Sequence, residues 1–148
     1  MEQNKHTRNV ISFDSGVKSY DINGVENAVS FNPTDSTFVE HIFTVFDELD
    51  KAQQQKDTEI SKTGDRRKVF ELMREYDRDM RSAIDGVMGE GLCEKLFGSM
   101  NVYALACGLP VWANLMLAVM DECDTAFARE QKLTNPRIKK YLDRYQKR

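Results

Sequence analysis

Apolar positions recur along this chain in two different periods, and the change between them divides it. From Asn9 to Phe31 the texture is that of strands. Val10-Ile11-Ser12-Phe13 ends at Asp14-Ser15-Gly16, Val17 to Ile22 follows, and Val25 to Phe31 comes after Asn23-Gly24. Asn-Gly between two such runs is a strong hairpin signal, because both turn positions need positive φ. Tyr20 and Ile22 share one face, as do Val29 and Phe31. The expectation is a two- or three-stranded antiparallel sheet over 9–31. Such a sheet is marginal alone and needs helices, or another chain, against its apolar face.

Helical spacing takes over from residue 32. Asn32 reads as a cap, Pro33 as the first helical residue, and Asp35 as the acid of the first turn. Phe38, Ile42, Val45 and Leu49 then recur at 4, 3 and 4, with Phe43 and Phe46 alongside. The stripe fades over Lys51–Lys62, where Gln53-Gln54-Gln55 is polar. This stretch is either a solvated extension of the helix or a loop. After Thr63-Gly64-Asp65, Val69, Met73, Tyr76, Met80, Ala83 and Val87 form a heptad-like seam. Arg67–Glu71 and Asp77–Arg81 are placed to pair at i,i+4 on the outer face. Gly86, Gly89 and Gly91 end that helix. Leu92, Leu96 and Phe97 make a short turn of helix stopped by Gly98. Tyr103 to Cys107 is a short apolar piece ended by Gly108-Leu109-Pro110, and Pro110 opens a helix carrying Trp112, Met116, Val119, Cys123 and Phe127. Asn135-Pro136 caps a last helix with Ile138, Tyr141, Leu142 and Tyr145 on one side. The fold class expected is mainly α, about four helices behind a small N-terminal β-hairpin or sheet. A polar arm spans 1–8, the β element 9–31, the helical core 32–134 and a basic amphipathic helix 135–148.

Length and composition add bounds. A chain of 148 residues fits one domain and can bury a core without staples. The net charge is only −3, which disfavours a nucleic-acid partner, but it is unevenly placed. Arg137, Lys139, Lys140, Arg144, Lys147 and Arg148 face Asp143 alone, so the tail carries +5 and residues 1–136 carry −8. This asymmetry suits either contact with an acidic partner or a solvated helix whose cations favour its C-terminal end. The first residues lack the apolar segment of a secretory signal, and no apolar run approaches the ~20 residues that span a bilayer. An intracellular protein with no membrane partner is expected.

Candidate chemistry is sparse. Cys93, Cys107 and Cys123 are odd in number and lack a Cys-x-x-Cys pair, so neither a disulfide framework nor a zinc site is expected, and each reads as a core thiol. Acidic neighbours of Cys123 should raise its pKa. Gly89-x-Gly91 follows a helix rather than a strand and lacks the rest of a phosphate loop. The histidines, His6 and His41, leave a Cys–His pair open only if the fold joins distant residues. The methionines read as core, and Trp112 as buried against the Gly89–Gly98 turn. No catalytic residue, cofactor or metal is assigned, and an enzyme is not expected.

Two segments carry a resemblance. Asn32-Pro33-Thr34-Asp35-Ser36-Thr37-Phe38-Val39 opens the first long helix, and Gly89-Glu90-Gly91-Leu92-Cys93-Glu94-Lys95-Leu96-Phe97-Gly98 follows the second. In this order, behind a β element with Asn23-Gly24, they resemble the small tail assembly chaperones of Gram-positive siphophages and prophages. The resemblance covers residues 20–130 and leaves out the N-terminal arm and the basic tail. In that family a Gly-x-Gly-x-Cys/Ser-x-x-Ile/Leu-Phe-Gly turn joins the central helix to the C-terminal ones, which makes Gly89, Gly91, Phe97 and Gly98 the structural turn here. The resemblance implies a non-enzymatic protein of the host cytoplasm that coats the tape measure protein and is absent from the mature virion. Client contact would fall on Phe38, Ile42 and Phe46, or on Val69, Met73 and Tyr76, unless those stripes form the core of the monomer. Self-association through the β element or the heptad seam would extend the sheath. Alternatives are a structural component, such as a head–tail connector or minor tail protein, and a small regulator holding nucleic acid through its basic tail.

Overall fold

Residues 7–146 are described by the structure, a computed structural model. His6 and most of the polar arm, and the tail cations Lys147 and Arg148, lie outside the described residues. Strands β1 (Lys18–Ile22) and β2 (Val25–Phe31) form an antiparallel hairpin. Helices α1 (Ser36–Ser61) and α2 (Arg66–Met88) are joined by a tight connection, and the short α3 (Leu92–Phe97) follows. A two-residue ribbon, β3 (Leu105–Ala106) with β4 (Leu109–Pro110), leads into α4 (Val111–Lys132), and α5 (Arg137–Gln146) ends the described chain. The fold is mainly helical with an N-terminal hairpin, as the pattern predicts. Among the described residues it has five helices, the short turn expected at Leu92–Phe97 counting as one of them.

The hairpin turns on Asn23 (φ 49°) and Gly24 (φ 83°), both left-handed, the geometry that matches strand twist. Tyr20 pairs with Val29 and Ile22 with Val25, with an irregularity between them that β2 absorbs at Asn27 (φ 50°). Asp21 holds this bulge by accepting the Asn27 N–H at 2.8 Å. No third strand joins this hairpin among the described residues. Asn9–Phe13 forms no strand, and Val10, Ile11 and Phe13 are 80%, 95% and 83% exposed. The inner face of the hairpin docks on helices. Phe31 stacks between Tyr20 (4.8 Å) and Phe38 (4.4 Å), and Tyr20 donates to Glu122 of α4 at 2.8 Å.

The start of α1 differs from expectation. Asp35, not Asn32, is the N-cap, its carboxylate accepting from the Thr37 N–H. Asn32 instead closes a turn, accepting from the Thr34 N–H and hydroxyl at 2.8 Å, while Asp35 N–H bonds the Asn32 carbonyl. Side-chain acceptors at both positions compete for the cap, and the residue nearest the helical run takes it. Lys51–Ser61 is helical. Its polar side chains are not merely solvated: Gln53 accepts the Trp112 indole N–H at 2.9 Å, and the Lys56 ammonium lies 5.0 Å from the Tyr103 ring centre.

The core lies where α1, α2 and α4 meet the hairpin. Ile42, Val45, Leu49, Met80, Ile84, Leu92, Trp112 and Met116 are all buried in it. The α2 seam drifts from the heptad. Ala83 is exposed and its place is taken by Ile84, which is fully buried, so the inward stripe continues Tyr76, Met80, Ile84, Met88. A spacing of four precesses slowly round a straight helix, which suits one helix crossing others rather than a supercoiled seam. Gly86 sits within α2 and does not end it. On α4, Trp112, Met116, Val119 and Cys123 are buried, but Phe127 is exposed and Ala126 faces inward instead. Trp112 is buried as expected, but the partners it shows, Phe46 at 5.6 Å and the Gln53 acceptor of its N–H, are on α1 rather than in the Gly89–Gly98 turn.

Candidate functional site

The Gly89–Gly98 segment is held by a row of charged side chains on α2. Asp77, Arg81 and Asp85 follow one another at i,i+4, each one place beyond a member of the apolar stripe. They therefore border the core rather than face water. Asp85 accepts the N–H groups of Gly91 (3.2 Å) and Cys93 (3.0 Å), serving the open N-terminal end of α3. Arg81 pairs with Asp77 at 3.0 Å and donates to the carbonyls of Gly98 and Met100, both at 2.7 Å. Asp77 also accepts the Val102 N–H at 2.8 Å, and Asn101 donates to the Met73 carbonyl at 3.1 Å. Gly89 (φ 139°, ψ 139°) and Gly98 (φ 56°, ψ −127°) take backbone conformations that a side chain would strain. Asp77–Arg81 is thus not an outer-face pair, and Arg67–Glu71 forms no ion pair. Phe97 packs against the core beside this clamp.

The thiols divide by location. Burial, followed by the carboxylate of Asp85, pushes Cys93 up to about 12. Burial leads again at Cys123, with Asp124 and Glu122 adding to it, and raises that thiol too. Both stay protonated and unreactive near neutral pH. Cys107 departs from the core reading. It is exposed, with φ 55°, at the tip of the β3–β4 ribbon. Three tyrosines are also raised. Tyr20 moves to about 12 through burial and its bond to Glu122, and Tyr76 to about 12 chiefly through its short hydrogen bond to Glu59. Tyr103 is raised by burial, and its hydroxyl is buried without a partner. Among the described residues no three His, Cys, Asp or Glu side chains gather as for a metal, and His41 is exposed with no hydrogen bond to a cysteine. None of the described helices is long and apolar enough to cross a membrane.

The stripes read as contact faces are largely consumed by the monomer. Ile42 is 1% exposed. Phe38 stacks on Phe31, Phe46 lies on Trp112, Met73 packs against the core, and Tyr76 meets Tyr103 edge-on at 6.3 Å. Val69, near the start of α2, is half-buried. The apolar surface left open lies elsewhere. Val10, Ile11, Phe13 and Val17 form an exposed arm before β1. Phe43 and Phe70 stand on the outer faces of α1 and α2. Ile138, Tyr141, Leu142 and Tyr145 line α5, where Arg137 to Tyr145 are all exposed. The sequence pattern points to these residues except Phe70, which lies off the α2 stripe, but not to their exposure, because an apolar stripe looks the same whether or not a partner element lies opposite.

No protein-family model, no curated protein and no solved structure matches this chain.

Proposed function

We propose that this protein works by binding rather than catalysis, as a tail assembly chaperone that sheathes the helical tape measure protein in the host cytoplasm and departs before the virion is complete. The observation that carries the reading is the exposed apolar surface grouped at the arm and on outer helix faces of an otherwise well-packed helical body. Contiguous exposed apolar surface marks interaction sites. An elongated helical client, lined by repeats of apolar residues, can be covered by many such weak contacts acting together. Because Ile42 and its neighbours are enclosed, client contact belongs to Val10, Ile11 and Phe13 of the arm and to Phe43 and Phe70. The Gly89–Gly98 turn, bound by Asp77, Arg81 and Asp85, keeps the body rigid behind that surface.

The test is co-expression with the tape measure protein, followed by light scattering of the soluble fraction. The wild type is expected to keep the client soluble with many copies bound. A chain carrying Val10→Asp and Phe13→Asp is expected to fold normally yet lose the client. A client that stays insoluble with the wild type overturns the reading. Recovery of the protein in purified virions favours a connector or minor tail subunit instead.

A further inference from the structure

Along α4 runs an open apolar groove. Two adjoining depressions of about 240 and 290 Å³ share Ile22, Asn23, Leu115 and Ala118. The floor is one face of α4 from Val111 to Glu122, some 16 Å long at 1.5 Å per residue. One wall is the hairpin at Tyr20 and Ile22, and the other is Leu96, Phe97 and Met100 after the clamped turn. The charged residues lining it are Asp21 and Glu122, both acidic.

The element that matches this groove is in the chain itself. Helix α5 is ten residues, about 15 Å. Its apolar stripe Ile138, Tyr141, Leu142, Tyr145 is flanked by Arg137, Lys139, Lys140 and Arg144, opposite in sign to the groove. In the monomer it does not lie in its own groove, since Arg137 to Tyr145 are all exposed. Only Leu133–Pro136 separate it from the end of α4, so a helix folded back would lie beside Cys123–Lys132 and stop where the groove begins. We propose that α5 of one copy lies in the α4 groove of a second copy, and the reverse, giving a two-fold dimer by exchange of α5. A single short helix buries less than the ~1,600 Å² of a standard interface, and reciprocal exchange doubles the contact and closes it. The β element and the heptad seam of α2 offer less: the hairpin has Val29 and Phe31 buried in the monomer, and of the seam Met80 is buried while Val69, Met73, Tyr76 and Val87 are half-buried. The exchange rests on this geometry and not on the client, and it is tested without one.

Light scattering of the full chain should give a dimer that weakens with added salt. Leu142→Asp and, separately, Ala118→Arg should each weaken the dimer at least about tenfold. Both positions are exposed, so circular dichroism should stay unchanged. In a Cys107→Ser background, mixing an Ala118→Cys chain with a Leu142→Cys chain should yield a disulfide-linked heterodimer that neither forms alone. A monomeric wild type, a dimer that survives both charged variants, or no cross-link between the mixed chains overturns the proposal. So does a monomer that binds phosphatidylserine vesicles through α5, which would assign that helix to an anionic lipid surface.

Discussion

Helices α4 and α5 follow one another in the chain and carry apolar stripes of the same period, yet one is the centre of the core and the other is bare. Trp112, Met116, Val119 and Cys123 of α4 are buried against α1 and the hairpin. Ile138, Tyr141, Leu142 and Tyr145 of α5 all stand in solvent. What separates them is what lies opposite. Around α4 the chain supplies long helices, a hairpin and a turn locked by charged groups. Among the described residues no element covers α5, and Arg137 to Tyr145 are all exposed. Amphipathic spacing therefore states that a face needs a partner, and the topology decides whether the same molecule provides it.

The largest expected effect sharpens this contrast. Met116→Ala, at a fully buried site, should destabilise the protein by about 2–5 kcal/mol in urea unfolding, whereas Leu142→Ala should change monomer stability by no more than about 0.5 kcal/mol. Equal effects at a concentration where the protein is monomeric would mean that α5 packs on its own body. Next comes the clamp. Asp77→Ala leaves the Val102 N–H and the Arg81 guanidinium short of their acceptor and should cost about 1.5–3 kcal/mol. Gly89→Ala should destabilise by about 1–3 kcal/mol through backbone strain alone, since open space surrounds the position. Tyr103→Phe removes a buried hydroxyl with no partner and should be neutral or stabilise by about 1 kcal/mol. A clear loss there would reveal a bond to that hydroxyl.

The alkaline limit of stability follows from the same packing. Tyr20 and Tyr76 each rise from 10.0 to about 12 in the folded chain, and Cys93 from 9.0 to about 12. Each is favoured in its protonated form by folding. That contribution is complete below the unfolded pKa and disappears as pH rises through the folded one. Stability should hold to about pH 9 and fall between pH 9 and 12, with Tyr20→Phe flattening part of the fall. Chemical unfolding at fixed pH steps measures it, and a flat profile across that range would contradict the burial of Tyr20 and Cys93 and the Tyr76–Glu59 hydrogen bond.

Much of this fold was legible in the residues. Asn23-Gly24 could only be a tight turn between two apolar runs, and the stripes of α1, α2 and α4 place the core facing one another. Gly98 and Pro110 mark real ends of elements. These are local matters of φ preference and period, which a short stretch settles for itself. Other features depend on distant neighbours. Gln53 looks like a solvent residue until Trp112 brings an indole N–H to it. Asp77, Arg81 and Asp85 look like a surface row until the chain after Gly89 folds back and presents its unpaired N–H and carbonyl groups. Asn9–Phe13 has the composition of a strand but finds no edge to pair with among the described residues, and Cys107 leaves the core because a two-residue ribbon places it at a tip. Sequence determined which faces are apolar and where the backbone turns, because those properties reside in single residues and their spacing. Tertiary structure alone decided which faces are covered and which stay open, because burial belongs to pairs of surfaces that the chain brings together from far apart.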